Sequence, residues 1–193
     1  LYTENMLNTI FLLSITSLVF DGSAVTPTSR EQDWWVQRNI NIQEVVNANG
    51  ADAQVIFVGD SITQGWEGSG AQVWKEHLAP FGAINLGIGG DRTEHVLWRL
   101  RHGHLDGLTP KIAVVMIGTN NFGQEYADGE SEVLEGIVAV VDTLRDSVPD
   151  MHILLLDIFP RGRLFNTMRG SILQVNQALQ VTYAGNENVT FLP

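Results

Sequence analysis

A chain of 193 residues that is 44% hydrophobic can bury one sizeable core and falls short of two, so a single domain is expected. Its 11 basic residues, nine of them scattered arginines, face 22 acidic ones for a net charge of -11, which argues against nucleic acid or an anionic membrane surface as partner. The absence of cysteine excludes disulfides, thiolate nucleophiles and cysteine-based zinc sites.

From Met6, an apolar block over Ile10 to Phe20 runs into the small residues Gly22-Ser23-Ala24. Eleven residues are too few for a spanning helix, which needs about 20, so the segment reads as an export signal with a weak basic start; a buried core segment is the alternative. The expected organisation is therefore flanking residues and leader over 1–24 and one domain over 25–193, placed outside the cytoplasm, secreted or periplasmic.

After Thr26-Pro27-Thr28, Ser29 and Gln32 have capping-box spacing, and Trp35, Ile42 and Val46 recur on one helical face up to Gly50. Trp34 and Trp35 read as helix-to-sheet packing. Gln54 to Val58 is short, β-branched and aromatic, hence a buried strand that ends in Gly59-Asp60-Ser61. A Gly-rich loop (Gly65, Gly68, Gly70) and a short helix around Ala71 to Leu78 follow. Ala83 to Leu86 is a second strand, opening into Gly87-Ile88-Gly89-Gly90-Asp91; Thr93 to Arg101 is helix, and Ile112 to Ile117 a third strand before Gly118-Thr119-Asn120-Asn121. Glu132 to Val148 carries Val133, Ile137, Val141, Leu144 and Val148 on one stripe. His152 to Leu156 is a fourth strand, Asn166 to Tyr183 an amphipathic helix, and Val189 to Leu192 a fifth strand. Strands alternating with helices define an α/β fold: a three-layer sandwich on a doubly wound, five-stranded parallel sheet in the flavodoxin-like order 2-1-3-4-5. Such a sheet needs one more helix after its fifth strand, so the sequence is expected to be incomplete at its C-terminus.

The turn at Gly87 to Gly90 lacks the third glycine of a dinucleotide loop, since position 92 is arginine, and no Walker lysine is present. Ser61, Gly90 and Asn120 each follow a predicted parallel strand, so all three fall at one sheet edge, where open α/β sheets bind ligands. That set supplies a hydroxyl nucleophile and, in the backbone N–H groups of Ser61 and Gly90 and the amide of Asn120, donors for the oxyanion of acyl transfer. Taken singly, Ser61 also fits a helix cap and Asn120 a turn former.

Gly59-Asp60-Ser61, Asn85 to Asp91 and Gly118 to Asn121 resemble the first three signature blocks of the SGNH, or GDSL, hydrolases. His95-Val96-Leu97-Trp98-Arg99-Leu100 and Phe159-Pro160-Arg161-Gly162 resemble the branch of platelet-activating factor acetylhydrolase catalytic subunits. The resemblance implies Ser61 as nucleophile, Gly90 and Asn120 as oxyanion donors, Asp60 as support, and no metal or organic cofactor. It implies a catalytic Asp-x-x-His block after the fifth strand, which these 193 residues do not contain. His95 falls where the family uses packing or helix-end polarity. His102 and His104 form a His-x-His pair read as solvated loop, His77 and His152 have no evident partners, and Trp66 and Phe122 are guessed to lie near Ser61. The implied activity is a serine esterase removing a short acyl group, such as acetyl, from a carbohydrate or lipid ester, in a possible homodimer. A non-catalytic binding module on the same scaffold is the alternative. The chain is expected to be nearly inactive without the missing block.

Overall fold

The computed structural model describes residues 23–123 and 128–193; most of the expected leader, residues 1–22, lies outside that range. Asp33–Asn49 (α1) buries the stripe Trp35, Ile42 and Val46 and ends at Gly50, as its spacing predicts. Its start differs from expectation. The helix opens at Asp33 with Gln32 itself as cap and no side-chain capping bond, so Gln32 is not the third helical residue that a Ser29 cap requires and the Ser29–Gln32 capping box does not form. Trp34 and Trp35 also part company: Trp35 is buried, whereas Trp34 is 52% exposed with the Arg30 guanidinium over its ring.

Val55–Gly59 (β1) leads into a single helical turn, Ser61–Gln64 (α2), then through further short turns and Ala71–Val73 (α3), continued by a wide turn over Trp74–Leu78, to Ile84–Asn85 (β2). Thr93–Arg101 (α4), Ile112–Met116 (β3), Glu130–Ser147 (α5), His152–Leu156 (β4), Thr167–Thr182 (α6) and Val189–Leu192 (β5) complete the chain. All strand pairs are parallel, in the order β2-β1-β3-β4-β5, with Ile56 opposite Ala113 and Ala113 opposite Ile153.

Helices α4, α5 and α6 lie side by side, and their buried stripes join Ile56, Val58, Ala113, Val115, Ile153 and Leu155 in one core. The opposite pleat is less covered. Phe57 packs edge-on against Trp66 and Trp74 of the β1–β2 connection, while Val114, Leu154 and Leu156 stay half-buried. A parallel sheet is ordinarily covered on both faces; here the second layer reaches β1 and thins toward β4 and β5. Ser23 and Ala24, assigned by sequence to the leader, are packed into the domain. Ala24 is fully buried, its carbonyl accepts from Thr93 Oγ1 at 2.8 Å, and Ser23 Oγ donates to Asp128 at 2.8 Å.

Candidate active site

The turn after β1 is built by Asp60. Its carboxylate accepts the Ile62 backbone N–H at 2.9 Å, capping α2, so that Ser61 opens the helix as an exposed first residue. The turn after β2 is held by two amides. Asn85 Nδ2 donates to the Thr63 carbonyl at 3.0 Å while its Oδ1 accepts from Gly87 N at 2.8 Å, and Gln64 Oε1 accepts from Gly89 N at 2.7 Å. These bonds draw the second loop against the first. A Cβ placed on Gly89 would meet Ser61 Cβ at 3.8 Å. Gly90 takes φ +73°, a conformation that costs glycine little and other residues more. The turn after β3 closes the arrangement: Asn120 Nδ2 donates to the Asp91 carbonyl at 2.9 Å and lies 3.4 Å from Asp60 Oδ2. The loops carrying Ser61, Gly90 and Asn120 are thus joined by hydrogen bonds between their immediate neighbours, at the carboxyl edge of three adjacent strands.

Under this edge is a charged cluster that sequence reasoning missed. Arg99, fully buried on α4, donates from Nε to Asp91 Oδ2 at 2.8 Å, from Nη1 to the Leu86 carbonyl at 2.8 Å and from Nη2 to the Gly59 carbonyl at 3.3 Å. Trp35 Nε1 donates to Asp91 Oδ1 at 2.6 Å, and Arg30 reaches the Gly89 carbonyl at 3.2 Å. One guanidinium therefore clamps the ends of β1 and β2 and the loop of Gly90. Burial pushes the Asp91 carboxyl up, against the pull of Arg99, Trp35 and Arg30. Burial also raises Asp60 to about 6, opposed by its bond from Ile62 and by the charge of Arg161, with Asp91 adding repulsion. The signal for Arg99 was its place in Trp98-Arg99-Leu100, on the buried face of a helix where a charge needs a partner.

The histidines take other work. His95 Nδ1 accepts the Arg92 backbone N–H at 3.0 Å, the helix-end polarity that the resemblance implies, and burial followed by Arg92, Arg30 and Arg99 lowers its pKa to about 3. His104 corrects the solvated-loop reading. It is fully buried beside Arg99 Nη1 at 3.0 Å, and burial followed by Arg99 lowers it to about 2. His102 stacks on Trp98, with ring centroids 4.3 Å apart. His152 Nε2 meets Thr190 Oγ1 at 2.9 Å, and His77 is exposed. Among the described residues no three His, Asp or Glu side chains gather as metal ligands. Phe122 is a buried core residue, whereas Trp66 lines a small apolar cavity of about 70 Å³ with Phe57 and Ile62, one residue from Ser61. A polar cleft of about 820 Å³ passes Gly90, Asn120, Arg30, Arg92 and His95, with Ser61 outside its lining.

The model of the GDSL-like lipase/acylhydrolase family matches residues 57–193. The human platelet-activating factor acetylhydrolase IB subunit alpha1 is 37% identical over 171 residues, which is 89% of this chain and 71% of that protein. The rat subunit alpha2 is 38% identical over 159 residues, 82% of this chain and 66% of that one. In fold, the chain is similar to a GDSL-like lipase of Bacteroides thetaiotaomicron (TM-score 0.62, 21% identity, 79% of this chain and 77% of that one). It is also similar to a lipolytic G-D-S-L family member of Veillonella parvula (TM-score 0.60, 16% identity, 71% and 75% covered). This chain belongs to the GDSL-like lipase/acylhydrolase family.

Proposed function

We propose that the protein of which these residues are part is a serine esterase that removes short acyl groups, acetyl among them, from a carbohydrate or lipid ester. The observation that supports this reading is the bonding of Asn120 to both neighbouring loops, at Asp91 and Asp60, which ties together the turns that carry Ser61, Gly90 and Asn120. Ser61 Oγ attacks the ester carbonyl, giving up its proton to a base. The oxyanion that forms accepts the backbone N–H groups of Ser61 and Gly90 and one N–H of Asn120 Nδ2, which exchanges its long contact to Asp60 for the shorter bond to substrate. The alcohol leaves with a proton, and water hydrolyses the acyl-serine. Base and orienting acid are assigned to an Asp-x-x-His block following β5 in the full protein. His95, fixed as a cap, and His104, held behind Arg99, are not suited to that role. The same observation favours a second reading for residues 1–193 alone, a binding module that keeps the pocket without turnover.

Export of a form with a leader over 1–24 remains part of the proposal, although the burial of Ala24 and its bond from Thr93 Oγ1 inside the domain argue against cleavage after Ala24. Sequencing the N-terminus of the mature protein reads this directly.

The esterase reading is tested on p-nitrophenyl acetate with the 193-residue chain and with a form extended through the Asp-x-x-His block. The extended form is expected to turn over, to lose activity with Ser61→Ala, and to lose about 10² to 10³ in kcat with Asn120→Ala. The shorter chain is expected to be nearly inert. Unchanged kcat in extended Ser61→Ala would remove Ser61 from the chemistry.

A further inference from the structure

The cleft of about 820 Å³ beside Gly90 and Asn120 has the size usual for ligand sites, about 300–1,000 Å³. Among the described residues its walls carry no apolar side chain. They come from the segment before α1, with Arg30 and Gln32, from the turn after β2 and the start of α4, with Gly90, Arg92 and His95, and from Asn120 after β3. The two helices that begin at the cleft pack on each other through Trp35 and Trp98, ring centroids 5.8 Å apart, and α1 also contacts β2. Their buried residues share the core with Ile56 and Val58, on the pleat opposite the thinly covered one. The other edge strand is β5, which runs into Pro193, so the cleft stands at the far end of the sheet from it.

The charges in the cleft are already matched. Arg92 Nε lies 2.6 Å from Glu94 Oε1, and Arg30 Nη1 lies 3.6 Å from Asp91 Oδ1 and donates to the Gly89 carbonyl at 3.2 Å, both carboxyl groups being buried. Gln32 Oε1 accepts from Arg30 Nε at 3.2 Å, which steadies the guanidinium further. His95 is neutral: its Nδ1 accepts the Arg92 backbone N–H, which leaves the ring proton on Nε2, and burial holds its pKa at about 3. An alkyl chain laid in such a cleft takes water from polar groups and returns no bond to them. An anion meets guanidinium groups that carboxylates already compensate, on a chain whose net charge of -11 repels it. A hydroxyl both donates and accepts, so a neutral polyol replaces the displaced water bond for bond.

We infer that this cleft receives the alcohol half of the ester and that the alcohol is a neutral carbohydrate, held by Arg30, Gln32, Arg92 and His95. The inference rests on the serine-esterase reading and narrows its substrate from carbohydrate or lipid to carbohydrate. Ser61 is outside the lining but next to it: a Cβ on Gly89, the neighbour of Gly90, would meet Ser61 Cβ at 3.8 Å. A sugar seated in the cleft therefore brings its ester past Gly90 and Asn120 toward Ser61. There the bond between the acyl carbon and the sugar oxygen breaks, the sugar oxygen leaves with a proton, and the acyl group stays on Ser61 Oγ until water removes it as the free acid.

The test is NMR titration of the isotopically labelled 193-residue chain with cellotriose, xylotriose and mannotriose, each carrying one acetyl ester, and with two comparators, 1-O-octyl-2-acetylglycerol and trigalacturonic acid. At least one acetylated triose is expected to bind saturably, with shifts concentrated on Arg30, Arg92, His95 and Asn120, and more tightly than either comparator. Ser29 is an exposed residue of the cleft wall, so Ser29→Trp fills the cleft without entering the core and should weaken triose binding at least about tenfold. Gln32→Ala, also at an exposed position, should weaken it several-fold. Val181→Ser, on α6, should bind as the unaltered chain does, and urea unfolding verifies that all three variants are folded. Any of four results would overturn the inference: no binding of any triose, equal binding by Ser29→Trp, tighter binding of the acetylglycerol, or tighter, salt-sensitive binding of trigalacturonic acid. Triose binding combined with an extended form inert on p-nitrophenyl acetate would fault the esterase reading and keep the cleft as a carbohydrate site. Turnover of p-nitrophenyl acetate without triose binding would fault this inference alone.

Discussion

Arg99 shows how much of this site depends on a side chain that cannot touch a substrate. Its fork reaches Asp91, the Leu86 carbonyl and the Gly59 carbonyl, so three loop ends are spaced by one rigid planar group. Replacement by methionine keeps much of the volume and abandons the Asp91 carboxylate in the core. Removing one partner of a buried ion pair costs about 3 to 5 kcal/mol, because the remaining charge has lost its compensation. Arg99→Met is therefore expected to lower the urea unfolding free energy by about that much. Arg99→Lys should recover only part, since one ammonium cannot span three acceptors. A loss below about 1 kcal/mol for Arg99→Met would mean that Trp35 and Arg30 suffice to hold Asp91.

At the scale of elements, α4 and α5 meet around a glycine. Gly136 sits in the interior of α5, where a Cβ would stand 2.4 Å from Thr93 Oγ1 and 2.9 Å from the Ala24 carbonyl. Helix propensity alone favours Gly→Ala by about 1 kcal/mol. Overpacking against a buried hydroxyl and a backbone carbonyl costs about 1 to 3 kcal/mol and is expected to win. Gly136→Ala should thus destabilise the fold in urea, whereas the same change at Gly170, where nothing lies within 4 Å on α6, should stabilise it slightly. Helix starts were read less well than helix stripes. The expected start of α5 at Glu132 falls at Glu130 instead, because the Glu132 carboxylate reaches back to the Gly129 N–H at 2.7 Å and makes itself the third helical residue.

For the whole molecule, the buried histidines and the buried carboxyls respond to acid in opposite senses. His95 and His104 have folded pKa values of about 3 and about 2, below the ordinary 6.5. The unfolded chain binds their protons first, so the stability tied to keeping them neutral is complete above pH 6.5 and is lost as pH falls below it. Each contributes about 2 kcal/mol of loss between pH 7.5 and pH 5. Asp60, raised to about 6, works the other way: the folded state holds its proton more tightly, so its contribution grows as pH falls from about 6 to 4. Asp91 and Glu94, also raised by burial, act in the same sense as Asp60. The histidine contribution is therefore read by difference: in urea unfolding at pH 7.5, 6 and 5, His95→Gln, whose amide oxygen can still accept the Arg92 N–H, should gain about 2 kcal/mol on the unaltered chain over that interval. No such gain would show that His95 titrates in the folded protein.

The sequence by itself determined the parallel strands, the helical stripe of α5, the limits of α4 and the three polar turns after β1, β2 and β3. These follow from local regularities, the periodicity of apolar residues and the punctuation of glycine and asparagine, which act over a few residues and survive without knowledge of neighbours. Only the tertiary structure decided that Trp34 is exposed, that His104 lies in the core, and that Ala24 packs inside the domain. It also decided that Arg99 ties Gly59, Leu86 and Asp91 together. The physical reason is that a buried polar group is specified by its partners, and those of Arg99 reach as far as 40 residues back along the chain, to Gly59, and meet it only once the sheet has formed.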